Sequence, residues 1–106
     1  MSDTLIRLAA TIEARRGADP ASSHTAAMLA RGPGKCAEKF GEEAVEAIVA
    51  AASGDTANLT HEAADVLYHL QVMLAAAGVP WAAVLAELER REGRSGIAEK
   101  ASRGAV

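Results

Sequence analysis

Apolar and polar positions recur at a helical period along nearly the whole chain, and turn residues cut that period into separate runs. Leu5, Ile6, Leu8, Ala9 and Ile12 fall at helical spacing within residues 4–16, with Ser2 or Asp3 placed to cap the first turn. Residues 17–22 (GADPAS) break the pattern. Ser23 can cap a short helix over 24–30, and Arg31-Gly32-Pro33-Gly34 is the strongest loop signal in the chain. A long helix over about 35–53 follows, closed by Gly54. Asp55 is placed to cap a second long helix over about 56–77, closed by Gly78, and Pro80 suits the first turn of a last helix reaching about residue 91. After Glu92 the pattern dissolves into GRSGIAEKASRGAV, which reads as a mobile tail. No alternating β-branched run suggests a sheet. The expected fold class is therefore all-α. Four main helices and one shorter turn fill a single domain over residues 1–92, ahead of a tail over 93–106.

The two long helices carry the informative chemistry. Glu42, Glu43 and Glu46 stand three and four residues apart on the first, with Lys39 one turn before Glu43. Glu62 and Asp65 stand three apart on the second, and His69 follows one turn later. Phe40, Ala44, Ala47, Ile48 and Ala51 share an apolar side of the first helix, and Ala63, Leu67, Leu70 and Leu74 share one of the second. A short connection at Gly54 and Asp55 makes the helices antiparallel neighbours. The interval 47–61 is about two turns out, a bend and two turns back, so both acidic clusters reach one level of the hairpin. Carboxylates gathered this closely repel one another and call for a cation. An all-oxygen donor set suits Mg²⁺ or Mn²⁺, and a divalent ion in turn suits a phosphate-bearing substrate.

Composition sharpens this picture. Half of the 106 residues are apolar, yet 26 are alanine, against one Phe, one Tyr and one Trp. Such side chains bury little area each, so burial shared in a homodimer or higher oligomer is expected, completing a four-helix-type bundle from antiparallel hairpins. The formal net charge of −3 leaves no basic excess for a nucleic-acid partner. One cysteine, Cys36, allows neither an internal disulfide nor a Cys-based zinc site. No stretch approaches the roughly 18–20 apolar residues of a membrane span, and the N-terminus carries no signal-peptide pattern, so a soluble cytoplasmic chain is expected.

The words Lys39-Phe-Gly-Glu-Glu-Ala-Val-Glu46 and Glu62-Ala-Ala-Asp-Val-Leu-Tyr-His69 resemble those of the phosphoribosyl-ATP pyrophosphohydrolase family. The likeness extends to Ser23-His24-Thr25, to the Gly78-Val-Pro-Trp81 turn and to residues 84–91, and covers about 4–92. The paired ExxE and ExxD motifs alone mark only the wider all-α nucleotide pyrophosphohydrolase group, which includes MazG-like and dimeric dUTPase-like house-cleaning enzymes. The resemblance implies Mg²⁺-dependent hydrolysis of phosphoribosyl-ATP to phosphoribosyl-AMP and pyrophosphate, the second step of histidine biosynthesis, by a homo-oligomer. Where the family usually shows Ser-Tyr-Thr, this chain has Ser23-His24-Thr25. The competing readings are a house-cleaning nucleoside triphosphate pyrophosphohydrolase and a non-catalytic helical assembly module whose acidic face pairs with a basic partner.

On these grounds Glu43, Glu46, Glu62 and Asp65 are the expected metal ligands, with Glu42 either a further ligand or the base that takes a proton from water. Glu42, Glu43 and Glu46 form the expected catalytic set. Lys39, Lys35 and Arg31 are candidate phosphate contacts, and His69, Ser23 and Thr25 candidate substrate contacts, Ser23 being equally suited to capping. Tyr68 and Trp81 read as packing residues, His61 as a surface residue and Cys36 as a small helix residue without a partner base. Arg90 and Arg91 fit a charged helix end.

Overall fold

A computed structural model describes residues 3–93. Among these the chain forms five helices and no strand: α1 (Asp3–Ala14), α2 (His24–Arg31), α3 (Pro33–Ser53), α4 (Thr56–Ala76) and α5 (Trp81–Arg90). Residues 94–106 of the expected tail lie outside the described residues.

Ser23, Gly54 and Asp55 cap where the sequence places them, whereas Asp3 is already the first residue of α1 and Ser2 lies outside the described residues. The Ser23 hydroxyl accepts from the Ala26 amide at 3.1 Å and starts α2. Gly54 ends α3 at φ 76°, a left-handed conformation that a Cβ would strain, and its amide reaches the carbonyls of Ala50 and Ala51. The Asp55 carboxylate then accepts from the Asn58 amide at 3.0 Å and opens α4. With only Gly54 and Asp55 between them, α3 and α4 fold back as an antiparallel hairpin of two 21-residue helices, each about 31 Å long.

One expected loop is much shorter in the structure. Of Arg31-Gly32-Pro33-Gly34, only Gly32 lies outside a helix, at φ 91°. Pro33 opens α3, because its fixed φ and missing amide suit a first helical turn. The α2–α3 connection is therefore a one-residue corner.

The core is small. Ile12 of α1, Met28 of α2, Cys36 of α3 and Val72 of α4 meet at its centre, with Leu8, Leu29, Tyr68 and Met73 around them. The Cys36 thiol donates to the Met28 carbonyl, and burial pushes its pKa up, as fits a packing residue. Two side chains tie α1 and the turn after it to α4: the Gln71 amide donates to the Leu5 carbonyl at 3.0 Å, and Arg16 donates to the Ala75 carbonyl at 2.7 Å. After the Gly78 turn α5 leaves α4 at 109°. Trp81, half-buried at the start of α5, lines a groove together with Ile6, Ala9 and Ala10 of α1.

The hairpin seam differs from the expected one. On α3 the buried residues are Cys36, Glu43 and Ala50, and on α4 they include Glu62 and His69. Each set repeats every seven residues, two helical turns, so acids and an imidazole lie along the line where the helices meet. Of the expected apolar flank, Phe40, Ala44 and Ala47 are half-buried, but Ile48 is 64 % exposed and Leu67 is 39 % exposed. Ile48, Val45 and Val49 form an outward apolar stripe on α3. No single helix among the described residues is long and apolar enough to cross a membrane.

Candidate active site

The hairpin brings the two acidic motifs to one level. One carboxylate oxygen each from Glu43, Glu62 and Asp65 lies within 4.8 Å of the other two. Glu43 and Glu62 are buried in the seam and Asp65 is half-buried beside them. Glu46 is exposed and neighbours Glu62 from outside this trio, so three of the four expected ligands gather with Glu46 beside them. Glu42 is turned about 100° round the helix from Glu43. Its side chain is exposed and lies 3.5 Å from the Lys39 ammonium. The structure therefore separates Glu42 from the enclosed carboxylates.

Electrostatics mark Glu62 as the most strained member. Burial pushes its carboxyl above the ordinary value, and the charges of Glu46, Glu43 and Asp65 push the same way, with a hydrogen bond to Glu46. One of its oxygens, Oε1, is buried without a hydrogen-bond partner among the described residues. An enclosed acid with an orphaned oxygen, facing other acids, is what a hard divalent cation relieves. The spacing suits one: Mg²⁺ takes oxygen ligands at about 2.0–2.1 Å, so opposite ligands stand about 4 Å apart. Small side-chain rotations close a 4.8 Å cluster to that span.

A groove of about 270 Å³ opens beside the acids. Its walls are His24, Met28 and Arg31 from α2 and Lys35, Glu38, Lys39 and Glu42 from α3. The three cations expected to meet phosphate are thus brought together. Lys39 bridges the two regions, 3.5 Å from Glu42 and 3.8 Å from Glu43, and Lys35 pairs with Glu38 at 3.2 Å. Glu38 is a groove residue that the sequence reading missed; its position one turn after Lys35 was the available signal.

A ring cluster adjoins the groove wall at His24. The Tyr68 and His69 rings meet edge to face with centroids 4.9 Å apart. His24 lies 6.5 Å from Tyr68 and 6.4 Å from His69. Burial pushes the His69 imidazole below its ordinary value; Glu43 opposes that shift, Lys39 and His24 add to it, and Asp65 opposes it. His69 Nδ1 is buried without a partner among the described residues. The Thr25 hydroxyl is hydrogen-bonded to the Tyr68 hydroxyl, and the Ser23 hydroxyl is engaged in its cap. His61 is exposed, as expected, with Nε2 3.4 Å from Asp65. Arg90 and Arg91 both pair with Glu87 on α5.

Comparison with known proteins gives a consistent result. The sequence model of a family described as phosphoribosyl-ATP pyrophosphohydrolase matches residues 5–92. The chain is 75 % identical over 100 residues to a phosphoribosyl-ATP pyrophosphatase of Cereibacter sphaeroides, covering 94 % of this chain and 97 % of that one. It is 72 % identical over 100 residues to the protein of that name from Rhodobacter capsulatus, with the same coverage. It is 75 % identical over 99 residues to that from Dinoroseobacter shibae, covering 93 % and 97 %.

Proposed function

The chain belongs to the phosphoribosyl-ATP pyrophosphohydrolase family, and from that premise we infer that it hydrolyses phosphoribosyl-ATP to phosphoribosyl-AMP and pyrophosphate, the second step of histidine biosynthesis. The observation that carries the reading into chemistry is the juxtaposition of an enclosed acidic cluster with a groove lined by three cations.

Glu43, Glu62 and Asp65, with Glu46 beside Glu62, would hold Mg²⁺, with Mn²⁺ a possible substitute. The ion neutralises phosphate charge and acidifies water when bound. Arg31, Lys35 and Lys39 bind the polyphosphate along the groove and orient it toward the acids. Lys39 also keeps Glu42 at the boundary between groove and cluster. Glu42, which lines the groove beside Lys39, accepts a proton from the attacking water. His69, held neutral by burial, offers a nitrogen near Glu43 and Asp65. Ser23 sets the start of α2, and with it the place of His24 in the groove wall.

The protein acts as a homodimer or higher homo-oligomer in the cytoplasm. Val45, Ile48 and Val49 are 57, 64 and 60 % exposed on one side of α3, an apolar stripe that a second copy covers. The alanine-rich composition and the small core, short of burial on its own, support the same conclusion.

Pyrophosphate release from phosphoribosyl-ATP, dUTP and dCTP, with and without MgCl₂, tests the reading, alongside rescue of a histidine auxotroph. Mg²⁺-dependent release from phosphoribosyl-ATP and growth without histidine are expected. Rapid cleavage of dUTP or dCTP with phosphoribosyl-ATP ignored replaces it with a house-cleaning role. No release from any of the three in the presence of Mg²⁺ leaves an assembly module.

A further inference from the structure

We propose that the hydrogen bond between Tyr68 and Thr25 positions the α2 wall of the groove, so that it governs nucleotide affinity while leaving the acidic cluster untouched. The proposal rests on reading that groove as the nucleotide site.

The two groove walls differ in how they are held. Lys35, Lys39 and Glu42 lie on α3, the same helix as Glu43 and Glu46, so their distance from the acids is set by one rigid element. His24 and Arg31 lie on α2, a helix of eight residues, too short to persist without tertiary support. Its C-terminal end is secured by the Gly32 corner, by Met28 in the core and by the Cys36 thiol on the Met28 carbonyl. Its N-terminal end has less. Ala26 is buried there but contributes only a methyl group. The side-chain link at that end is the Thr25–Tyr68 bond, which joins residues 43 apart in sequence.

Tyr68 is placed to make that link specific. Its ring rests edge-on against His69, the seam residue two turns after Glu62, and lies beside His24. It therefore references the first turn of α2 to the acidic seam. Without it α2 pivots about Met28 and Gly32, and the His24 end of the groove shifts. Thr25, a candidate substrate contact by sequence, engages its hydroxyl with Tyr68 and so acts on the nucleotide indirectly.

The test uses the full chain, with phosphoribosyl-ATP as the varied substrate at saturating Mg²⁺ and with Mg²⁺ titrated separately. A net hydrogen bond of ordinary strength corresponds to about a two- to tenfold change in binding. Tyr68→Phe is expected to raise KM two- to tenfold, with kcat and the Mg²⁺ activation midpoint within twofold of wild type. Thr25→Val should raise KM equally, and the double variant should match either single, because both remove one bond. Thr25→Ser, which keeps the hydroxyl, should restore KM. A KM unchanged in Tyr68→Phe, while wild type turns over, overturns the proposal and leaves the functional reading standing. Single effects that multiply in the double variant overturn it in favour of direct substrate contact by Thr25. A fall in kcat that tracks lost thermal stability, with KM unmoved, overturns it in favour of a purely structural bond. A wild-type chain inactive on phosphoribosyl-ATP overturns both.

Discussion

Replacing Glu62 with Gln removes the charge of the most strained carboxylate and keeps its shape, and the consequence should reverse with metal. Burial first, and the neighbouring acids after it, hold the Glu62 carboxyl above its ordinary 4.5. A raised folded-state value means that the native protein binds this proton more tightly than the unfolded chain does. Stability from this group is therefore greatest below 4.5 and falls as pH rises through the raised value. Above the ordinary carboxyl value the metal-free wild type carries a penalty that the Gln variant lacks. In EDTA, Glu62→Gln should melt at a higher temperature than wild type. Mg²⁺ should invert the order. At a free concentration of 100 Kd, a ligand bound only by the native state stabilises by about 2.7 kcal/mol. At about 4 °C per kcal/mol for a domain near 100 residues, the wild-type Tm should rise by about 10 °C. The variant, with Glu43 and Asp65 left of the closest trio, should lose most of that rise. A divalent ion contributes several kcal/mol to phosphoryl chemistry, and each 1.36 kcal/mol is tenfold, so kcat/KM should fall by at least about 100-fold. Thermal melts in EDTA and in MgCl₂, with a pyrophosphate-release assay, read all three effects. A variant that melts below wild type in EDTA, keeps its Mg²⁺ response and turns over within tenfold would refute the reasoning.

Three further outcomes follow from other parts of the molecule. Ile48→Glu places a charge in the outward stripe of α3 and should convert a dimer to monomer, read as a halved mass by sedimentation equilibrium; an unchanged mass removes that stripe from the interface. Ile12→Val deletes one methyl group from a side chain 1 % exposed and should cost about 1 kcal/mol, or about 4–8 °C in Tm; a shift below 1 °C means α1 is not part of the cooperative core. Hydrogen bonds from Arg90 and Arg91 hold the Glu87 carboxyl down to about 2, so its stabilisation is present above 4.5 and lost as pH falls toward 2. Glu87→Gln should flatten that part of the acid titration of stability, and a slope equal to wild type shows that the α5 cluster contributes nothing.

Much of this was legible in the residues. Ser23, Gly54 and Asp55 are capping residues whose chemistry acts within four positions, so they mark helix ends without tertiary information. The level at which Glu43 and Glu62 meet follows from counting turns across a two-residue bend. The face on which they meet does not follow as readily. Periodicity groups residues by face, and charge ordinarily assigns an acidic face to solvent. The seven-residue repeats Cys36–Glu43–Ala50 and Glu62–His69 were the available signal for a polar seam, and they compete with an equally regular apolar set that faces outward. The Thr25–Tyr68 bond was beyond reach, because nothing local relates residues 43 apart. Pro33 and Gly34 suggested a loop because both break helices internally; at a first turn neither does.

The alanine content ties the site to the assembly. Helices approach to about 8 Å only when the residues between them are small, and larger side chains push them toward 10 Å. Ala50, 2 % exposed and two turns from Glu43, holds α3 close to α4 near the bend of the hairpin. That closeness lets carboxylates on opposite helices come within 4.8 Å. The same small side chains leave the monomer a thin core, so the larger apolar groups Val45, Ile48 and Val49 are free to serve an outer interface. Ala50→Leu separates these contributions. Overpacking should cost about 1–3 kcal/mol and widen the hairpin, while the outer stripe is unaltered. The variant should remain helical by circular dichroism and keep the wild-type mass, yet require at least several-fold more Mg²⁺ for half-maximal turnover. An unchanged Mg²⁺ midpoint in a folded dimer means that carboxylate spacing does not depend on the small seam, and that the alanines serve packing alone.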